Sequence, residues 1–163
     1  MIGLDTNVLV RYIMQDDPKQ SAKATKLIES LDADRPGYIT MVSVVELYWV
    51  LTSCYELTGQ QVAQALEVML RTKQLLVERA DQVMRALRVF GEGGADFADC
   101  LIERSASGAG CAETMTFDIK ASKHAGMTLI AYQAAEIPLG RPRLEKNARI
   151  EWPTSDFSEV TKG

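Results

Sequence analysis

Five acidic residues stand where short apolar runs end or apolar helical patterns begin: Asp5, Glu46, Asp96, Asp99 and Asp118. Asp5 closes the run Met1–Leu4, and Asp118 closes Thr114–Phe117. Asp96 and Asp99 are three apart and so share a helix face. In α/β sheets, sites gather at the carboxyl ends of strands. Carboxylates brought together there raise one another's pKa and destabilise the fold. A hard divalent cation such as Mg²⁺ or Mn²⁺ removes that cost and prefers oxygen ligands. Held by such acids, it activates a water at a phosphodiester and stabilises the charge of the transition state. Asp5, Glu46, Asp99 and Asp118 are the expected catalytic ligands, and Asp96 is the less favoured ligand of the two acids on its helix. Thr6, Asn7 and Thr116 adjoin them and could orient ligands or waters.

Each position also has a plain structural reading. Asp5, Asp96 and Asp118 could be helix N-caps, the last for residues 119–124. Asp99 could be a first-turn acid favoured by the helix dipole. Ser43-x-x-Glu46 has the form of a capping box. Against that, the apolar neighbours Val44, Val45, Leu47 and Tyr48 predict a largely buried turn, where a carboxylate needs a cation, a proton or several donors. Thr6, Asn7 and Thr116 could simply be turn residues. Glu103 continues the Asp99 stripe and reads as an exposed ion-pair partner.

Several other chemistries are excluded. His124 is the sole histidine, too few for a two-histidine acid–base pair or a histidine-rich zinc site. There is no GxSxG elbow and no GxxxxGK[ST] phosphate loop. Gly91, Gly93 and Gly94 approach a GxGxxG pattern, but Asp96 occupies the last position.

The elements that must position the acids alternate between strand and helix. Strands are expected near Met1–Leu4, Tyr38–Thr40, Leu75–Val77, Thr114–Phe117 and Thr128–Ala131. Helices are expected from Asn7, after Asp17-Pro18, from Ser43, over 60–72, from Asp81, and from Asp96 to Ser107. Asp17 before Pro18 has the residue order of a helix start. The alternation predicts an α/β fold: one domain over residues 1–131, with a central parallel sheet of about five strands flanked by helices. Residues 132–163 have weak periodicity and are expected to form a C-terminal extension, partly disordered.

The chain has 163 residues and a formal charge of −4, from 18 basic and 22 acidic residues. Nucleic-acid binding by bulk attraction usually needs a basic protein, so metal ions or a local basic surface must supply the positive charge. Cys54, Cys100 and Cys111 form no CxxC pair and read as reduced thiols of a cytoplasmic protein. No apolar stretch is long enough to span a bilayer, and the N-terminus does not read as a signal peptide.

Together these segments resemble the PIN-domain ribonucleases. Met1-Ile2-Gly3-Leu4-Asp5-Thr6-Asn7-Val8-Leu9-Val10 is similar to their first motif, and Glu46 in Ser43-Val44-Val45-Glu46-Leu47 to the second. Ala95-Asp96-Phe97-Ala98-Asp99-Cys100-Leu101-Ile102 is similar to the third, which makes Asp96 an accessory position, and Thr116-Phe117-Asp118 to the fourth. The resemblance implies a single α/β domain, dependence on Mg²⁺ or Mn²⁺, and endoribonuclease activity. In size the chain is similar to VapC toxins, which implies a homodimer silenced by a small VapB-like antitoxin. Two other readings stand beside it. One is a PIN-like module that binds RNA or protein without cutting. The other is a haloacid-dehalogenase-like phosphatase, although Asn7 stands where that chemistry wants a second Asp. Arg85 and Arg88 lie off the apolar stripe of their helix, where they could touch RNA phosphates or only water.

Overall fold

The computed structural model describes residues 1–130. The expected extension over 132–163, and Ala131 at the end of the expected fifth strand, lie outside these.

The first strand, β1 (Ile2–Gly3), is short because Asp5 begins the turn into α1 (Thr6–Met14). The helix α2 (Pro18–Glu29) starts as its sequence predicts. The Asp17 side chain accepts from the backbone N–H groups of Lys19 and Gln20, and Pro18 sits in the first turn, where an N–H is not needed. After β2 (Gly37–Ile39) comes α3 (Met41–Ser53), then α4 (Gly59–Arg71), whose Thr58 and Gln61 form a reciprocal capping box. β3 (Leu75–Val77) leads to α5 (Ala80–Gly91) and α6 (Phe97–Gly108). β4 (Met115–Thr116), α7 (Ile119–His124) and β5 (Thr128–Leu129) complete the described residues.

All strand pairs are parallel, as the alternation predicts, but they do not form one sheet. β1, β2 and β3 pair in that order, with Gly3 opposite Tyr38 and Tyr38 opposite Leu76. β4 and β5 form a separate two-stranded ladder, Met115 opposite Thr128. The expectation of one five-stranded sheet is corrected to three plus two. Strands of two or three residues carry too few ladder bonds for apolar runs to reveal who pairs with whom.

One core joins both parts. Leu9, Ile39, Val44, Leu47, Leu51, Val62, Leu66, Val83, Phe97, Leu101 and Ala121 are buried in a single cluster. α1 packs on α2 and α3, α4 on α5, and α5 on α6. Among the described residues no helix is long and apolar enough to cross a membrane. All three cysteines are free thiols.

The start of α3 differs from expectation in a way that matters for the site. Thr40, read as a strand residue, is the N-cap: its hydroxyl accepts from the Ser43 N–H at 3.1 Å. The Glu78 carboxylate accepts from the Met41 N–H at 2.8 Å, serving a second first-turn donor. Ser43 is therefore inside the first turn, and Glu46 is too far along the helix to cap it. The helix begins on Met41 and Val42, apolar residues that carry no start signal.

Candidate metal centre

Asp5 stands at the junction of β1 and α1, in extended conformation (φ −77°, ψ 154°), and its side chain makes no cap hydrogen bond. Its carboxylate instead accepts from Asn7 Nδ2 at 3.1 Å. The cap reading of Asp5 is thus set aside: the backbone serves the helix start, and the charged group is exposed. Thr6, next to it, is buried, and its hydroxyl donates to Glu46 Oε2 at 2.5 Å. This bond joins the first turn of α1 to the second turn of α3. Glu46 was expected to be buried; it is exposed, on a face with Val42 and Trp49 at spacings of four and three.

The other acids form a second group. Asp96 caps α6 by accepting from the Ala98 N–H at 2.7 Å. Asp118 caps α7 through one oxygen, Oδ1, which accepts from Lys120 N at 2.6 Å and Ala121 N at 3.1 Å. The Asp118 N–H donates to Thr116 Oγ1 at 3.0 Å. For Asp96 and Asp118 the cap reading therefore holds, and Thr116 does turn chemistry. Neither role consumes the second carboxylate oxygen. Asp99 is half-buried on the first turn of α6. Burial, reinforced by the charges of Asp96 and then Asp118, holds its carboxyl above the usual carboxylate range. That places Asp99 within electrostatic reach of both; the three-residue spacing predicts this for Asp96, and the fold brings in Asp118.

The same field reaches two residues that the motifs do not mark. Tyr48 on α3 has its phenol raised by burial, then by the charges of Asp96 and Cys100. The Cys100 thiol is pushed up to about 11 by burial and then by Asp99 and Asp96. Cys100 is thus a buried thiol that stays protonated near neutral pH. Tyr48 packs tilted against Phe97, with centroids 4.9 Å apart, and edge-on to Phe90 at 5.7 Å. Its apolar neighbours on α3 gave no sign of a role beside the acids. Glu103, expected to be exposed, is partly buried and paired with its neighbour Arg104.

The backbone between α5 and α6 is set by Gly94. Its φ is +95°, and a Cβ there would lie 2.5 Å from the His124 ring, so only glycine lets α7 close against this loop.

The donors suit a hard cation: all are oxygens, and Asp99 is held among like charges that a cation would relieve. Among the described residues no three His, Cys, Asp or Glu side chains already enclose a common point. The structure shows two sets, Asp5–Asn7 with Thr6–Glu46, and Asp96–Asp99–Asp118. Arg85 and Arg88 are exposed on α5, as the stripe predicts, and Arg85 pairs with Asp81 at 3.6 Å, both side chains mostly exposed.

Thr6→Val tests whether the bond to Glu46 is functional. The substitution keeps the shape, and the exposed Glu46 can rehydrate, so stability should change by no more than about 1.5 kcal/mol. If Thr6 orients a metal ligand, affinity for Mn²⁺ should fall roughly 10- to 100-fold. Parallel melts and Mn²⁺ titrations check this; an unchanged affinity would make Thr6 a packing residue only.

A family model described as PIN domain matches residues 2–127. No curated protein matches the chain.

Proposed function

The chain belongs to the PIN domain family, a nuclease-type fold, and from that premise we propose that it is a metal-dependent endoribonuclease acting as the toxin of a VapBC-type pair. The observation that carries the reading is Asp99, a half-buried carboxylate facing two like charges, to which no described residue donates a hydrogen bond. Such a group costs stability unless something positive is bound, and Mg²⁺ or Mn²⁺ fits its donors. Asp5, Glu46, Asp99 and Asp118 would hold the cation, with Asp96 beside them. When bound, the metal polarises the phosphodiester and makes an attacking water available near neutral pH.

The chain's own residues do the rest. Asn7 orients the Asp5 carboxylate, and Thr6 fixes one oxygen of Glu46. Capping uses one oxygen of Asp118 and leaves the other free to turn toward Asp99. Arg85 and Arg88 are proposed to meet flanking phosphates. The exposed Val42 and Trp49 beside Glu46 support a face covered by a second copy, and an acidic centre suits a basic side chain of a VapB-like antitoxin. The same reading places the protein in the cytoplasm with its RNA. Retention of every candidate acid, with Asp5 and Glu46 free of capping, favours cleavage over a binding-only module. The Asn at position 7 is spent on Asp5 and cannot act as the acid–base residue of a phosphatase.

The test is incubation with mixed cellular RNA in Mn²⁺, in Mg²⁺ and in a chelator. Discrete fragments with either metal, none with chelator, and no release of phosphate from small monoesters are expected. Metal-independent cutting, or no cutting in either metal, would overturn the proposal.

A further inference from the structure

A cleft between α4 and the Gly91–Ala95 loop holds about 580 Å³, within the range of pockets that seat small ligands. Along one wall run Gln60, Gln64 and Glu67, spaced four and three on a single face of α4. None of these side chains is engaged by another described residue. Across from them is Phe90. Its ring is edge-on to Tyr48 at 5.7 Å and to Phe97 at 6.0 Å. Its tip lies where a Cβ on Gly59 would come within 2.6 Å. The ring is therefore clamped from three sides. Gly94 and Ala95 close the cleft, and Asp96 is the next residue.

We propose that this cleft reads one unpaired base of the RNA beside the cleaved bond, and that it selects a base bearing an exocyclic amino group. The inference rests on the ribonuclease reading. Three features point to a base rather than a phosphate. Glu67 puts a negative charge in the cleft, which repels phosphate. A side-chain amide pairs with adenine through matched donor and acceptor, and a carboxylate accepts from the amino group of cytosine. Uracil has no such amino group. A fixed aromatic wall suits an unstacked base, and single-stranded loops are where proteins read RNA sequence. Gly91 and Gly93, where an added Cβ would meet nothing within 4 Å, leave room for the sugar–phosphate backbone to pass toward Asp96.

The position of the cleft links it to the acids. Phe90 touches Tyr48, and Tyr48 lies in the field of Asp96. A base held against Phe90 thus places its neighbouring phosphate near the carboxylates.

The experiment uses the full chain with Mn²⁺ and a pool of short single-stranded oligoribonucleotides, reading base frequencies around each cut. A companion binding measurement, in chelator, uses labelled oligomers that differ at one position. At one flanking position the parent should prefer an amino-bearing base over uracil by roughly tenfold or more in both readouts. Gln60→Ala with Gln64→Ala should erase that preference, and Glu67→Gln should shift it, while the melting shift produced by Mn²⁺ stays as in the parent. Cleavage with no flanking preference, or a preference unchanged in the double variant, overturns the base pocket and leaves the nuclease reading standing. A parent that neither binds nor cuts any oligomer overturns both.

Discussion

Asp99→Asn is expected to abolish cleavage, by at least about 100-fold, while raising the stability of the metal-free protein at neutral pH. The lower bound on activity follows because even the outer partners of a metal cost 10–100-fold, and Asp99 is assigned to the inner set. The stability effect follows from the sign of the pKa change. Burial, then Asp96 and Asp118, raise the Asp99 carboxyl above its ordinary value. A raised acid contributes its stability fully below the unfolded pKa, and loses it as pH rises through the folded value. Above that window the parent carries the cost of an ionised, half-buried Asp99, and the amide does not. In metal-free buffer the variant should therefore melt higher than the parent at pH 7, and the difference should vanish in acid. With Mn²⁺ at about 100 times its dissociation constant the parent gains roughly 2.7 kcal/mol and the order reverses. Melts at several pH values, with and without Mn²⁺, and cleavage of a labelled RNA check both halves. A variant that folds and cuts at the parental rate would remove Asp99 from the site.

The second large effect is structural. Phe97 is completely buried at the start of α6, between Tyr48 at 4.9 Å and Phe90 at 6.0 Å. This aromatic trio ties α3, α5 and α6 together directly beneath Asp96 and Asp99. Phe97→Ala should cost about 3–5 kcal/mol, the sum of lost burial and the cavity left behind. That is a large share of a typical stability of roughly 5–15 kcal/mol. Phe97→Leu should cost markedly less, because most of the volume stays filled. Denaturant unfolding measures the loss. Cleavage by Phe97→Ala should follow the folded fraction and recover in part with Mn²⁺, since binding the native state opposes unfolding. A loss under about 1 kcal/mol would show that the trio is not what holds α6 in place.

Local chemistry was legible where one residue type does one job. Asp17-Pro18 starts α2, Leu75–Val77 is a strand, and Asp96 and Asp118 cap their helices, each from a signal that acts within a few residues. The proximity of Asp96 and Asp99 follows from helix geometry alone. Two things were not legible. The division of the strands into three and two depends on long-range pairing that apolar runs do not encode. The setting of Glu46 depends on which side of α3 faces the core, and α3 is apolar on nearly every side, so periodicity could not choose. Val42 and Trp49, exposed on the Glu46 face, look like core residues in sequence. Tyr48 and the clamped Phe90 were hidden for the same reason, since packing against other aromatics sets their roles.

The central claim is that acids from four separate segments share one metal. The most direct test is a Mn²⁺ titration of the isotopically labelled full chain, followed by paramagnetic broadening of backbone amide signals. At low Mn²⁺ the signals of Asp5, Glu46, Asp99 and Asp118 should broaden together while those of Asp32 and Asp34 remain sharp, and Asp99→Asn should abolish the effect. Broadening spread evenly over surface acids such as Asp32 and Asp34, or confined to one of the two carboxylate sets, would contradict a shared centre.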